Sequence, residues 1–436
     1  MTPTVMTTTK RKTRSTAASR LPLAARLPIE IDATGKGPLG MPAQTFLRDY
    51  WQKRPLLIRN AFPGFESPVR PDDLAALALE PSALSRLILW DRRKDRWTVE
   101  TGPLPEDRFE RVPKRDWTLL VQDVDKWDAD VRELVEAFPF LPRWRIDDVM
   151  ISFAVEGGSV GAHIDQYDVF LLQGMGHRHW RIDANPEQPV DFREDAPIKL
   201  LKSFSPSHEW TLGPGDMLYL PPGLGHHGVA LDPCLTFSLG MRAPAKAELI
   251  EDFALELAGR ASERERYADP DLAVPADAFE IDAAALARVK QTLGGMAAGT
   301  AASGDDAPDP NADDALLRRW FGRFITRYRA SGDIQPPKKA PTRSMFDAAL
   351  EAGGVLQRHP FSRVAWLREG RAKAMWFVTG SDIGGLRARD AALLCRQDTL
   401  DASTWGQLDE HAREAVVALA TLGHYRALAP KKRRGR

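Results

Sequence analysis

The chemistry in this chain can be read from three positions: His163, Asp165, and a histidine at 226 or 227. On an extended strand alternate side chains share a face, so His163 and Asp165 present an imidazole and a carboxylate together. Taken alone the His-x-Asp pair is a weak signal, because about one chance occurrence is expected in such a chain. Two histidines and one carboxylate on the same side of a metal form the facial set typical of non-haem Fe(II). That set leaves three positions open for a cosubstrate and O2. A structural zinc asks for a fourth protein ligand, and the two cysteines, Cys234 and Cys395, stand far apart with no CxxC.

The flanking residues strengthen the reading. Gly157-x5-His163 and Gly215-x5-Pro221-x-Gly223-x2-His226 occur in order, roughly sixty residues apart. They match the two halves of the cupin pattern, in which turns and strands deliver metal ligands into a jelly-roll barrel. Neighbouring strand residues point oppositely, so only one of His226 and His227 can serve, and the Pro-Pro-Gly spacing selects His226. The stretch 169–176, VFLLQGMG, then reads as one arm of a hairpin returning through His177-Arg178-His179-Trp180-Arg181-Ile182. Alternation sets Arg178, Trp180 and Ile182 on the apolar, inward face, and His177, His179 and Arg181 on the outer one. A guanidinium among apolar groups is strongly disfavoured unless it meets an anion, and its fork suits a carboxylate. The distal carboxylate of 2-oxoglutarate, whose keto-acid end chelates iron, is such an anion; a structural aspartate is the plainer alternative. Tyr167 and Asp168 flank the pair and either orient a cationic substrate or are ordinary hairpin residues. His208 reads as a loop or surface residue.

The elements that must position these residues follow from the texture of the chain. From 27 to 245, short apolar runs at 87–90, 149–153, 169–172, 217–220 and 235–239 are broken by Pro and Gly, as in a sandwich or barrel of many short strands. Helices are expected at 72–79 and 130–138. From 246 to 335 the pattern turns helical (246–258, 282–293, 315–328), around a low-complexity, mobile insert at 294–314. Apolar helix faces there, with little chain left to cover them, predict a homodimer through this region. The stretch 336–428 runs helix 344–352, strands 363–368 and 374–379, and helices 389–396 and 408–422, in the order of a winged helix. Its mixed charge favours a packing or recognition module and leaves direct nucleic-acid binding open.

Composition excludes several classes. Lys+Arg and Asp+Glu are both 60, so net charge names no polyanionic partner. Basic residues gather in the tails, 1–26 and 429–436, which read as solvated and disordered segments, with loose contact to nucleic acid as the other use. No apolar run reaches the length of a membrane span, and two unpaired cysteines fit a reducing compartment. The expected location is the cytoplasm.

Taken together, HIDQYDVFLLQGMGHRHWRI, LGPGDMLYLPPGLGHHG and SLGMRAP resemble the bacterial JmjC-type ribosomal oxygenases, the ribosomal protein arginine 3-hydroxylases. The match is strongest over about 140–245 and extends in element order over 27–428. The resemblance implies an α+β chain with a mainly β core: a double-stranded β-helix of the jelly-roll, cupin (JmjC) type, then a helical dimerisation region and a winged-helix-like C-terminal domain. It implies Fe(II) at His163, Asp165 and His226, and 2-oxoglutarate at Arg178 and Ser152, with O2 as co-reactant. The implied substrate is an arginine of large ribosomal subunit protein sixteen, hydroxylated at Cβ. Histidine hydroxylation, lysine demethylation, or a non-catalytic cupin-like binding module are the alternatives. The chain departs from the family pattern at His177 and His179, where more basic residues are expected, and in the 294–314 insert.

Overall fold

Two β-sheets face one another across an apolar interior in the computed structural model, which describes residues 27–185, 187–262, 264, 266–270, 272, 282–297, 310–327 and 334–430. Both terminal tails lie largely outside that range. The strands are β1 (Glu30–Asp32), β2 (Leu56–Arg59), β3 (Ser85–Asp91), β4 (Arg96–Thr101), β5 (Trp117–Val121), β6 (Ile146–Ala154), β7 (His163–Ile164), β8 (Val169–Met175), β9 (Arg178–Asp183), β10 (His208–Leu212), β11 (Met217–Leu220), β12 (Gly225–Ala230) and β13 (Cys234–Met241). Nine of them form one sheet in the order β1-β2-β11-β8-β13-β6-β5-β3-β4, and four form the other, β10-β9-β12-β7.

The near-continuous apolar runs of β8 and β11 reflect burial on both faces. Inward, Val169, Leu171, Leu218 and Leu220 pack with Trp180 and Ile182 of the smaller sheet. Outward, Phe170 and Tyr219 lie against Phe46 and Trp51, contributed by helix α1 (Ala43–Asp49) and the turn after it. Burying side chains of this size stabilises by about 1.5–3 kcal/mol each.

The expected hairpin from 169 to 182 is not one. The β8 strand pairs with β11 and β13, while β9 pairs with β10 and β12 in the other sheet. The intervening turn carries the chain across the barrel rather than back along the same sheet. Gly176 makes that crossing with φ +60°, where a Cβ would meet the Pro233 carbonyl at 2.3 Å.

By its internal packing the chain divides into two units, one of 27–79, 85–122 and 149–241, the other of 80–84, 123–148 and the described residues from 242 onward. Segment 123–148 therefore belongs with the C-terminal elements, although it precedes most of the barrel in sequence. In place of one helix at 130–138 there is a short helix, Ala129–Glu133, followed by a 3-10 turn, Leu134–Ala137. Ion pairs contribute to the grouping: Asp147 pairs with Arg363 at 2.7 Å and with Arg242 at 3.1 Å. Burial, reinforced by Asp123, pushes the neighbouring Asp148 up to about 7.

The helices Lys246–Ala258, Ala283–Ala297 and Pro310–Arg327 follow. The expected insert is thus helical at both ends, and its centre, 298–309, lies outside the described residues. The C-terminal part has six strands where two were expected, in two three-stranded sheets. The four missed ones are short or lack apolar alternation, as in Ser381–Arg387. Helices Arg343–Glu351, Ala388–Arg396 and Glu410–Thr421 close over a core that includes Phe346, Trp376, Leu394 and Val416.

Candidate metal and cosubstrate site

Register builds the site. On β12, His226 lies directly opposite His163 of β7 on one side and Ile182 of β9 on the other. The two imidazoles are therefore cross-strand neighbours, with ring centroids 4.1 Å apart. Asp165 follows β7, held by its own carbonyl accepting from the Gly223 N–H at 2.7 Å. Its Oδ2 lies 4.0 Å from His163 Nε2 and 3.6 Å from His226 Nε2. Among the described residues no other group of three or more His, Cys, Asp or Glu converges in this way.

The tautomers follow from partners. His163 Nδ1 is 3.0 Å from the Gly161 carbonyl, and His226 Nδ1 is 3.0 Å from that of Leu224. A carbonyl can only accept, so each Nδ1 carries the proton and each Nε2 turns a lone pair toward Asp165. Such backbone contacts orient metal-binding imidazoles. Burial, with His163 as second cause, pushes His226 down to about 4, which keeps it in the neutral form a metal requires. The donor set fits a divalent transition metal.

His227 points the other way, opposite Arg181 in the β12–β9 register, and its Nδ1 accepts from the guanidinium at 2.7 Å. Burial and then Arg181 push it down to about 4. Also on the outer face, His177 bonds Asp232 and His179 lies near Glu209 and Thr211. His208 opens β10 and stacks on Trp210.

Arg178 faces inward and is 3 % exposed. No carboxylate of the described residues pairs with it. Its Nη2 reaches the Cys234 Sγ at 3.6 Å, its Cζ lies 5.8 Å from the centre of the Trp180 ring, and its Nε has no partner. A buried guanidinium in this state fits an absent anion and leaves no structural aspartate to account for it. Ser152 is buried on β6, two residues from Ala154, which packs against Ala230 and Cys234 beside Arg178. Asp168 is fully buried and accepts from Tyr219 and Gln52, so it serves the fold; Tyr167 is exposed. Sequence reasoning missed the polar lining of the major sheet. Thr236 donates to Gln173 across β13 and β8, and Thr118 on β5 is buried. Single polar residues inside apolar strands gave little sign of it.

Glycine at 228 is needed for the Trp180 ring, because a Cβ there would stand 2.8 Å from it. Gly228→Ala should destabilise the protein by about 1–3 kcal/mol through overpacking, which chemical denaturation of the two proteins would measure.

Residues 133–249 match the JmjC domain, and 309–426 match a ROXA-like winged helix. The chain is 36% identical over 319 residues to the ribosomal protein uL16 3-hydroxylase of Escherichia coli K12, covering 72% of this chain and 79% of that one. To a probable ribosomal oxygenase of Haemophilus influenzae it is 40% identical, over 48% of this chain and 51% of that one. The structure of E. coli YcfD, a ribosomal oxygenase, in complex with cobalt and 2-oxoglutarate superposes with a TM-score of 0.73 at 32% identity, covering 89% of this chain and 98% of that one. The barrel with its histidine–aspartate cluster, the winged helix and these likenesses agree, and the chain belongs to the JmjC-domain ribosomal oxygenases.

Proposed function

We propose that this chain hydroxylates a ribosomal protein, at Cβ of an arginine in the large-subunit protein uL16, using Fe(II), 2-oxoglutarate and O2. The observation that carries the chemistry is the pairing of a His163–Asp165–His226 cluster with an inward, carboxylate-free Arg178. In this reading His163, Asp165 and His226 would hold the iron, and Arg178 and Ser152 would hold the far carboxylate of 2-oxoglutarate. Bound iron supplies the oxidation, in which 2-oxoglutarate becomes succinate and carbon dioxide as one oxygen atom enters the substrate C–H bond. The protein's part is to fix three ligands on one side, neutralise the cosubstrate, and keep water out with Trp180, Ile182, Leu171 and Leu218. Identity to the E. coli uL16 3-hydroxylase supports the choice of substrate. The test is to incubate the purified chain with Fe(II), 2-oxoglutarate and uL16 in air and locate the added oxygen by tandem mass spectrometry. Oxygen on a histidine instead, or loss of lysine methyl groups, would replace the arginine reading.

Within the chain, the proposal gives catalysis to 27–245, self-association to 246–335 and a supporting role to the winged-helix part, 336–428. The reaction would take place in the cytoplasm; no helix of the described residues is long and apolar enough to cross a membrane. Self-association rests on helix Ala283–Ala297, where Leu286, Val289 and Leu293 share one face and are all exposed. A second copy would cover this stripe. Light scattering at micromolar concentration should report a homodimer, and Leu286→Glu with Leu293→Glu should yield monomer. A monomeric unmodified chain would contradict the assignment.

A further inference from the structure

One buried hydroxyl lining the barrel belongs neither to the histidine–aspartate cluster nor to the Arg178–Ser152 pair. Thr118, on β5, is fully buried, and its Oγ1 makes no hydrogen bond. Buried hydroxyls are nearly always partnered.

Register shows which groups it borders. Thr118 lies directly opposite Ala154 of β6, and directly opposed residues in an antiparallel pair project to the same side. Ala154 packs with Ala230 and Cys234. Ala230 is the cross-strand neighbour of Arg178, and the Cys234 Sγ is 3.6 Å from the Arg178 guanidinium. The hydroxyl and the guanidinium thus border one small interior region, and each holds a donor hydrogen with no acceptor. A single carboxylate, with about four lone-pair sites, can satisfy both.

We propose that Thr118 is a further cosubstrate-binding residue, donating its hydroxyl hydrogen to the same carboxylate that Arg178 neutralises, the end of 2-oxoglutarate remote from the metal. This rests on the reading that 2-oxoglutarate occupies the pocket. It also explains a threonine within the apolar run Trp117–Val121, where valine would fill the same space.

The test uses the full-length chain loaded with Mn(II) and follows 2-oxoglutarate binding by calorimetry. Thr118→Val should raise the dissociation constant about 10- to 100-fold, the range for a hydrogen bond to a charged acceptor. Thr118→Ser, which keeps the hydroxyl, should stay near wild type. Thermal melting without ligand gives a second readout: because Thr118 has no partner in the protein itself, Thr118→Val should melt at or above the wild-type temperature. Equal affinity in Thr118→Val and wild type overturns the assignment. So does a ligand-free melting temperature that falls with the affinity, since the hydroxyl then supports the fold. If Thr118→Val does not fold, Thr118→Ser against Thr118→Ala makes the same comparison. A wild-type protein that binds Mn(II) but no 2-oxoglutarate removes the parent reading, and Thr118's role with it.

Discussion

Alanine at His163, Asp165 or His226 should each abolish 2-oxoglutarate turnover, while alanine at His227 leaves it largely intact. Three ligands are the fewest that fix a metal on one side and leave room for cosubstrate and O2. Removing one therefore costs more than the ten- to hundredfold seen when only an outer hydrogen-bond partner is lost. The histidines at 226 and 227 make the sharpest contrast, being adjacent in sequence and opposite in direction. One lies in the cluster, with its Nε2 3.6 Å from Asp165; the other accepts a hydrogen bond from Arg181 on the far face. Metal content after dialysis, read beside succinate release and a melting curve, separates loss of metal from loss of fold. A dead His227→Ala beside an active His226→Ala would reverse the ligand choice.

That His226, and not His227, turns toward His163 could be read from sequence because strand alternation is a strict rule and the glycine and proline spacings fix where the strand begins. The same alternation set Arg178 inward with Trp180 and Ile182, and all three are buried. Pairing between strands could not be read in this way. Alternation says which side a residue faces but not which strand lies beside it, so the run from 169 to 182 read as a hairpin although Gly176 carries it to the opposite sheet.

Arg178→Ala should weaken 2-oxoglutarate binding by about 2–5 kcal/mol, the usual cost of leaving a buried charge without its partner, and so raise the concentration required. The guanidinium is 3 % exposed, pairs with no carboxylate of the described residues and has the Cys234 thiol and the Trp180 ring beside it, so an anion arriving there would offset the cost of its burial. Arg178→Lys keeps the charge and loses the fork, and should fall between alanine and wild type. Iron binding should change little in either variant. The measurement is succinate production against 2-oxoglutarate concentration at saturating iron. A wild-type curve for Arg178→Ala makes the arginine structural.

Other features were illegible for identifiable reasons. The association of 123–148 with the C-terminal elements includes Asp147 meeting Arg363, 216 positions away, and no local pattern announces such a pair. Thr118 looks like one polar residue in an apolar strand; its significance comes from having no partner. Helices fared better, and Lys246–Ala258 falls where periodicity sets it.

The most direct test of the account is made in cells. Ribosomal large subunits are isolated from cells expressing the intact chain and from cells in which His226→Ala replaces it, and uL16 is analysed by mass spectrometry. The account predicts one added oxygen atom on an arginine of uL16 in the first sample and none in the second. An unmodified uL16 in both, or an oxygen that persists with His226→Ala, contradicts it.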